Sequence, residues 1–573
     1  MLVLFCCTLF SDALLAQTTR VTIRVDAAQR QGPLKPIWSW FGYDEPNYTY
    51  MKDGKKLLSE LAALSPTPVF IRTHNLLTTG DGTAALKWGS TNAYTEDATG
   101  QPRYDWTITD RIFDTLLERR MKPLVEIGFM PEALSVKPQP YRHAWAVDKT
   151  YNTIFTGWAH PPRDYAKWSE LVFQWVRHSV AKYGRAEVES WWWELWNEPD
   201  IGYWQSTPEE YFKLYDHTAT AVKRALPTAR IGGPHVTGPL GARTQKFLRD
   251  FLEHCARGQN AATGLTGTPL DYIGFHAKGA PRVVDPAGKP IPDGQPITNG
   301  HVRMGISSQL KAISNGFEIV AAFPEFKNTP IVIGESDPEG CAACSSRVYP
   351  QNGYRNGTMY SSYTAAQLAR TYELAARHGV NLLGAVTWAF EFEDQPYFDG
   401  FRDLATNGID KPVLNVFRML GLMSGKTKGE RLASESSGAL KLETIRDTGV
   451  RGNPEINALA SRQPRAVSVL VWNYQDDDLP APSSEIELVI NGLPNVRPRL
   501  QHYRIDATHS NAYEAWKRLG APAQPTPAQY RQLERAGQLE LLQAPESLRT
   551  TNGSVTLKFS LPRQGVSLLR LTW

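Results

Sequence analysis

Between residues 37 and 425 the chain alternates short apolar, β-branched and aromatic runs with longer stretches whose apolar residues recur at spacings of three and four. Eight short runs predict strands: PIWSWFGY, VFIRTH, PLVEIGFM, SWWWELWN, RIGGPHV, YIGFHAKG, PIVIGES and LLGAVTWAFEF. The segments between them, such as KKLLSELAAL, DRIFDTLLERR, DYAKWSELVFQWVRHSVAKYG, EEYFKLYDHTATAVKRAL and AQLARTYELAARHG, carry the apolar stripe of a helix lying on a sheet. Strictly alternating strands and helices predict an α/β fold with parallel strands, and eight units close into a (β/α)8 TIM barrel over residues 37–425.

After about residue 425 the period shortens. AVSVLVWNY, SSEIELVING, RLQHYRID, SVTLKFSL and VSLLRLTW alternate apolar and polar positions, which predicts a C-terminal antiparallel β-sandwich over residues 426–573. A helical insert, residues 525–537, interrupts it. The N-terminal TRVTIRVD has the same alternation, so residues 17–36 are expected to add a strand to that sandwich.

Residues 1–16, MLVLFCCTLFSDALLA, form a short apolar run ending in Ala16 and are expected to be an export signal, although no Lys or Arg precedes the run and Asp12 lies within it. The expected location is secreted or periplasmic. No other run approaches the roughly 18 to 20 apolar residues of a membrane span. A net charge of +4 from nearly balanced acids and bases argues against nucleic acid as a partner. Cys341 and Cys344 have the spacing of a redox pair, but no second pair or nearby His completes a zinc set; a loop disulfide or two free thiols is expected.

In a (β/α)8 barrel the active site gathers at the C-terminal ends of the strands. The polar residues there are Asp44, Glu45, His74, Asn75, Asn197, Glu198, His235, His276, Lys278, Glu335, Asp337 and Glu391 to Asp394. Hydrolysis of a glycosidic bond with retention needs two carboxyl groups about 5 to 5.5 Å apart, one attacking the anomeric carbon and one protonating the departing oxygen. Glu198 and Glu335 end the fourth and seventh runs, which face each other across a barrel mouth. Each is flanked by apolar strand residues that would tune its pKa. The alternative is a solvated strand-end Glu198 and a salt-bridged Glu335. No cofactor or metal is expected, since this chemistry needs none.

The run WWWELWNEPD, the segment IRTHNLL, and PIVIGESDP followed by KPVLNVFRMLGLM resemble glycoside hydrolase family 39, the family of β-D-xylosidases and α-L-iduronidases. The resemblance extends to HYRIDATHSNAYEAWKRLG in the sandwich. It implies a retaining mechanism with Glu198 as acid/base and Glu335 as nucleophile, acting on an oligosaccharide or polysaccharide, and sugar contacts from His74, Asn197 and His276. DYIGFHAKGA and Glu335-Ser336-Asp337-Pro338 are similar to the iduronidase branch, in which the Lys two residues after the His binds the substrate carboxylate. Lys278 would then hold a uronate, with Asp394 and Arg402 helping; alternatively Lys278 pairs with a protein carboxylate such as Asp337 or Asp394. The expected substrate is a terminal α-L-uronosyl or β-D-xylosyl unit. A catalytically inactive carbohydrate-binding barrel is the alternative from another class. GYDEPNY departs from that branch, which places a sugar-binding His there. The insertion Lys137 to Pro162 is expected to cover the barrel, the alternative being that it shapes a leaving-group subsite, and residues 282–305 to form a flexible rim loop.

Overall fold

The computed structural model describes residues 20–573, apart from 65, 143–144, 147–153, 293–298, 389 and 426–428. The expected export segment therefore lies outside the described residues. The central parallel sheet runs β1 (Trp40–Tyr43), β2 (Phe70–Thr73), β3 (Lys122–Glu126), β4 (Trp192–Glu194), β5 (Arg230–Val236), β6 (Tyr272–Lys278), β7 (Ile331–Asp337) and β8, which is split into Leu382–Ala385 and Thr387–Trp388. The first part of β8 pairs with β7 and the second with Phe41 and Gly42 of β1, which closes the barrel.

Alternation along β4 shows how the sequence sorts itself. Trp193 packs outward beneath Trp175 of the covering helix Tyr165–Tyr183, ring centroids 5.9 Å apart. Trp192 turns inward, 6.3 Å from Trp40 of β1 across the lumen. Glu194, two residues on, shares that inward face. The covering helix buries Trp168, Leu171, Val172, Trp175 and Val176, and begins where the Asp164 carboxylate accepts the N–H groups of Ala166 and Lys167.

The accessory domain is a connected sheet whose two layers enclose Val21, Ile23, Val25, Val467, Leu488, Leu557 and Leu569. The N-terminal strand Arg20–Pro33 lies within it, antiparallel to Glu430–Ser436 and parallel to Ser484–Asn491. Strand Ala466–Tyr474 is buried on both faces: Val467, Val469 and Val471 fill the sandwich, while Leu470, Trp472 and Tyr474 join the barrel core. This period-two division fastens the domains together. Trp472→Ala is expected to cost about 3–5 kcal/mol in chemical denaturation, from lost transfer energy plus the cavity left behind.

Of residues 282–305, expected as a flexible rim loop, 293–298 lie outside the described residues and both ends form strands. Arg282–Val284 pairs with His301–Arg303, and His301 Nε2 lies 3.0 Å from Asp477 of the accessory domain, which Arg303 also binds. The charged residues of this stretch clasp the sandwich to the barrel. In the insertion, Tyr141, Ile154 and Trp158 are buried, with Trp158 4.3 Å from Phe129 at the barrel mouth.

Candidate active site

At the C-terminal end of the barrel lies a cavity of 430 Å³ lined by Asp44, Lys87, Asn197, Glu198, Lys278, Glu335, Glu339, Arg355 and Trp388, among others. Glu198 follows β4 by four residues, and its backbone takes the left-handed conformation at φ 44°. Few residues with a side chain adopt it, at a cost of about 1–2 kcal/mol. The bend is held by the Glu198 N–H donating to the His235 carbonyl at 3.0 Å. Glu335 sits within β7, in register with His276 of β6.

The nearest carboxylate oxygens of Glu198 and Glu335 and a ring nitrogen of His276 lie within 4.8 Å of one another. That spacing would suit a cation, and the cation found there is an ammonium. Lys278 Nζ stands 2.7 Å from Glu198 Oε1 and 2.6 Å from Glu335 Oε2. His276 Nδ1 is 2.8 Å from Glu198 Oε1 and 3.5 Å from Glu335 Oε1. Burial pushes His276 down to about 4, so the ring is neutral; facing two carboxylates, Nδ1 is the nitrogen that carries the proton. Burial would raise the Glu198 carboxyl, but Lys278 and the His276 hydrogen bond outweigh it and hold it below the ordinary Glu value. Burial likewise opposes ionisation of Glu335, yet Lys278, His276 and Arg72 hold its carboxyl well down.

Beneath these residues lies a fully buried charge layer that the strand-end reading did not reach. Arg72 of β2 donates through Nε to Glu194 at 2.7 Å, and through Nη2 to Glu126 and to Asn197 Oδ1, both at 3.0 Å. Its Nη1 lies 3.3 Å from Glu335 Oε1. With the Asn197 oxygen so occupied, its NH2 is the end offered to the cavity. Burial keeps the Glu126 carboxyl well above its usual value, whereas burial of Glu194 is overcome by Arg72 and His235. The signal was present as lone charges inside apolar runs, Arg72 in VFIRTH, Glu126 in PLVEIG and Glu194 in WWWELW.

Of the other candidates, His74 and His276 are fully buried and stand behind the cavity wall rather than in it. His74 Nδ1 is 2.8 Å from Asp44, which itself lines the cavity and is bonded by Lys87 at 3.2 Å. Asp394 is not brought to the site. It is exposed, at φ 66°, on a rim turn fixed by its N–H donating to Asn407. Arg402 is fully buried outside the cavity lining, 3.2 Å from Asp337 and 3.5 Å from Glu339, so its reach to a ligand runs through those acids. The guanidinium in the wall is that of Arg355, 2.8 Å from Glu339. Lys87 comes from a loop and Arg355 from the 3-10 helix Pro350–Asn356, and no periodicity marks either. Cys341 and Cys344, also in the wall, are joined as a disulfide.

Trp388, closing the barrel, is part of the same wall, and Gly42 beside it has no room for a side chain: a Cβ there would lie 1.8 Å from the Trp388 ring.

The family model for glycosyl hydrolases family 39 matches residues 21–555. The chain belongs to this family. It is 25% identical over 438 residues to a β-xylosidase of Caldicellulosiruptor saccharolyticus, covering 75% of this chain and 76% of the relative. It is 26% identical to the α-L-iduronidase of Mus musculus, covering 100% of this chain and 84% of the relative. The crystal structure of the GH39 enzyme from Xanthomonas axonopodis pv. citri superposes with a TM-score of 0.71 at 22% identity, covering 98% of this chain and 99% of that one, which supports the barrel-and-sandwich fold. The family 39 chain is thus a glycoside hydrolase with a carbohydrate substrate. Among the described residues no helix is long and apolar enough to cross a membrane.

Proposed function

We propose that this family 39 enzyme is a retaining, exo-acting glycosidase removing a terminal non-reducing α-L-iduronosyl-like or β-D-xylosyl residue. Glu335 attacks the anomeric carbon while the Glu198 carboxyl gives its proton to the departing oxygen. The ester between Glu335 and the sugar is then cleaved by water, whose proton returns to Glu198. The observation that carries this reading is the pair of buried carboxylates that share the Lys278 ammonium and bring one oxygen of each within 4.8 Å, which favours the close pairing of a retaining enzyme over the wider gap an inverting enzyme leaves for its water. An inactive binding barrel is disfavoured because both acids are present in that geometry.

The uronosyl reading is preferred because Lys278 brings a partly accessible ammonium to the wall, its side chain 19% exposed. A xyloside would not leave this ammonium without a partner, because Glu198 and Glu335 already bind it. A β-D-xylosidase without uronate recognition is therefore the second reading. Export to an oxidising compartment, proposed alongside, is supported by the Cys341–Cys344 disulfide.

Proton NMR of the first-formed sugar tests the mechanism, and retained anomeric configuration is the expected result. On 4-nitrophenyl α-L-iduronide and β-D-xyloside, kcat/KM is expected to favour the uronide by about tenfold or more, the discrimination worth 1.4 kcal/mol. An inverted product defeats the mechanism; preference for the xyloside selects the second reading.

A further inference from the structure

The acid/base of a retaining enzyme must enter the first step protonated, yet the strongest partner of Glu198 is an ammonium that favours its ionised form. Lys278 Nζ bonds Glu198 and Glu335 together, at 2.7 Å and 2.6 Å. With the ammonium so placed, the ionised form of Glu198 is favoured over the acid that the first step requires.

We propose that Lys278 is a charge lock on the resting site, holding the acid/base ionised until an anionic group on the terminal sugar draws the ammonium away and lets Glu198 take up a proton. The idea rests on the retaining reading above and adds to it the means by which an acidic sugar would switch the site on. Charge is conserved in the exchange. Lysine and two carboxylates sum to minus one; lysine with the sugar's carboxylate, a neutral Glu198 and an ionised Glu335 sum to minus one again. Binding one anion is therefore coupled to uptake of one proton from solvent, the direction linkage requires when binding raises a pKa.

The neighbouring charges leave this role to Lys278. From below, Arg72 is shared among Glu126, Glu194 and Glu335, and His276 is neutral. Lys87 bonds Asp44 at the far side of the cavity, and Arg355 bonds Glu339 in the segment after β7. Among the described residues, Lys278 is the cation bonded to both Glu198 and Glu335, and it is on a four-carbon stem able to swing. The stem runs beside Gly340, its Cδ 4.0 Å from where a side chain there would begin, and both residues line the cavity into which the ammonium would swing.

The test uses the full chain and needs no turnover. A non-hydrolysable S-linked α-L-iduronide and its S-linked β-D-xyloside counterpart, which lacks the carboxylate, are titrated calorimetrically in buffers of different ionisation enthalpy across pH 4–8. The uronide is expected to take up close to one proton per molecule in the window between the free and bound values of Glu198, and the xyloside none. In Lys278→Met the uptake should vanish. The alkaline limb of kcat/KM for a 4-methoxyphenyl xyloside, whose leaving group needs the acid, should also move up by about one pH unit or more, because an opposite charge in contact has been removed. Equal uptake for both ligands, no uptake for either, failure of the uronide to bind where the xyloside does, or an unmoved limb in Lys278→Met would overturn the lock. Failure of the underlying reading looks different: neither ligand would bind, and azide would not rescue Glu335→Ala.

Discussion

Glu335→Ala is expected to lower kcat on activated aryl glycosides by on the order of 10⁴-fold or more, as loss of the attacking group does in other covalent enzymes, while leaving the fold intact. The fold should survive because neither cation that Glu335 binds is abandoned: Lys278 keeps Glu198 and Arg72 keeps Glu126 and Glu194. The truncated side chain leaves a space of carboxylate size opposite the leaving group. Azide is small and anionic enough to enter it and attack the anomeric carbon directly. Rescue should give a glycosyl azide of inverted configuration, made in one displacement. Glu198→Ala should behave in the complementary way. Its glycosyl–Glu335 ester still forms when the leaving group needs no proton, and azide then attacks that ester from the other face, giving an azide of retained configuration. Opposite products from the two variants would assign both roles in one experiment; a folded Glu335→Ala protein that azide does not rescue would remove Glu335 from the nucleophile's place.

How much of this was legible in the sequence divides along physical lines. The barrel was legible because burial on both faces writes near-continuous apolar runs for parallel strands, and the covering helices write a period of three and four. The ends were less so: the run LLGAVTWAFEF became two short ladders, since its halves pair with different neighbours, β7 and β1. At the mouth, Glu198, Glu335, Asn197 and Lys278 stood out as polar residues ending apolar strands, and the structure brings all four to one cavity. Arg72, Glu126 and Glu194 were passed over because they fall one layer earlier, where a charge in an apolar run has no explanation until its partners on adjacent strands are known. Asp394 was misplaced for the opposite reason. It follows a strand end in sequence, but a left-handed turn carries it outward to the rim, and strand counting does not see turns.

That hidden layer governs the second large effect. Arg72→Met would fit the space and remove the charge, leaving the ionised Glu194 in a fully buried position with its main partner gone; a loss of about 3–5 kcal/mol in folding stability is expected, the cost of breaking one side of a buried pair. Arg72→Lys separates charge from geometry. One ammonium cannot meet Glu126, Glu194, Glu335 and Asn197 from a single point as the planar fork does. That variant should fold, yet lose about a hundredfold in kcat through misplacement of Glu335 and Asn197 by an ångström or so. The pH dependence gives the sign. Glu335 and Glu194 are both held below their ordinary value of 4.5, so their stabilising effect is fully present above that pH and fades as pH falls through the folded values. The stability gap between wild type and Arg72→Met should therefore be widest near neutrality and narrow below pH 4.5. In Arg72→Lys the acidic limb of kcat/KM should move upward, because Glu335 would be less strongly held in its ionised form. A gap that failed to narrow as pH falls below 4.5 towards the folded values would mean that Arg72 acts by filling space rather than by holding these two carboxylates ionised.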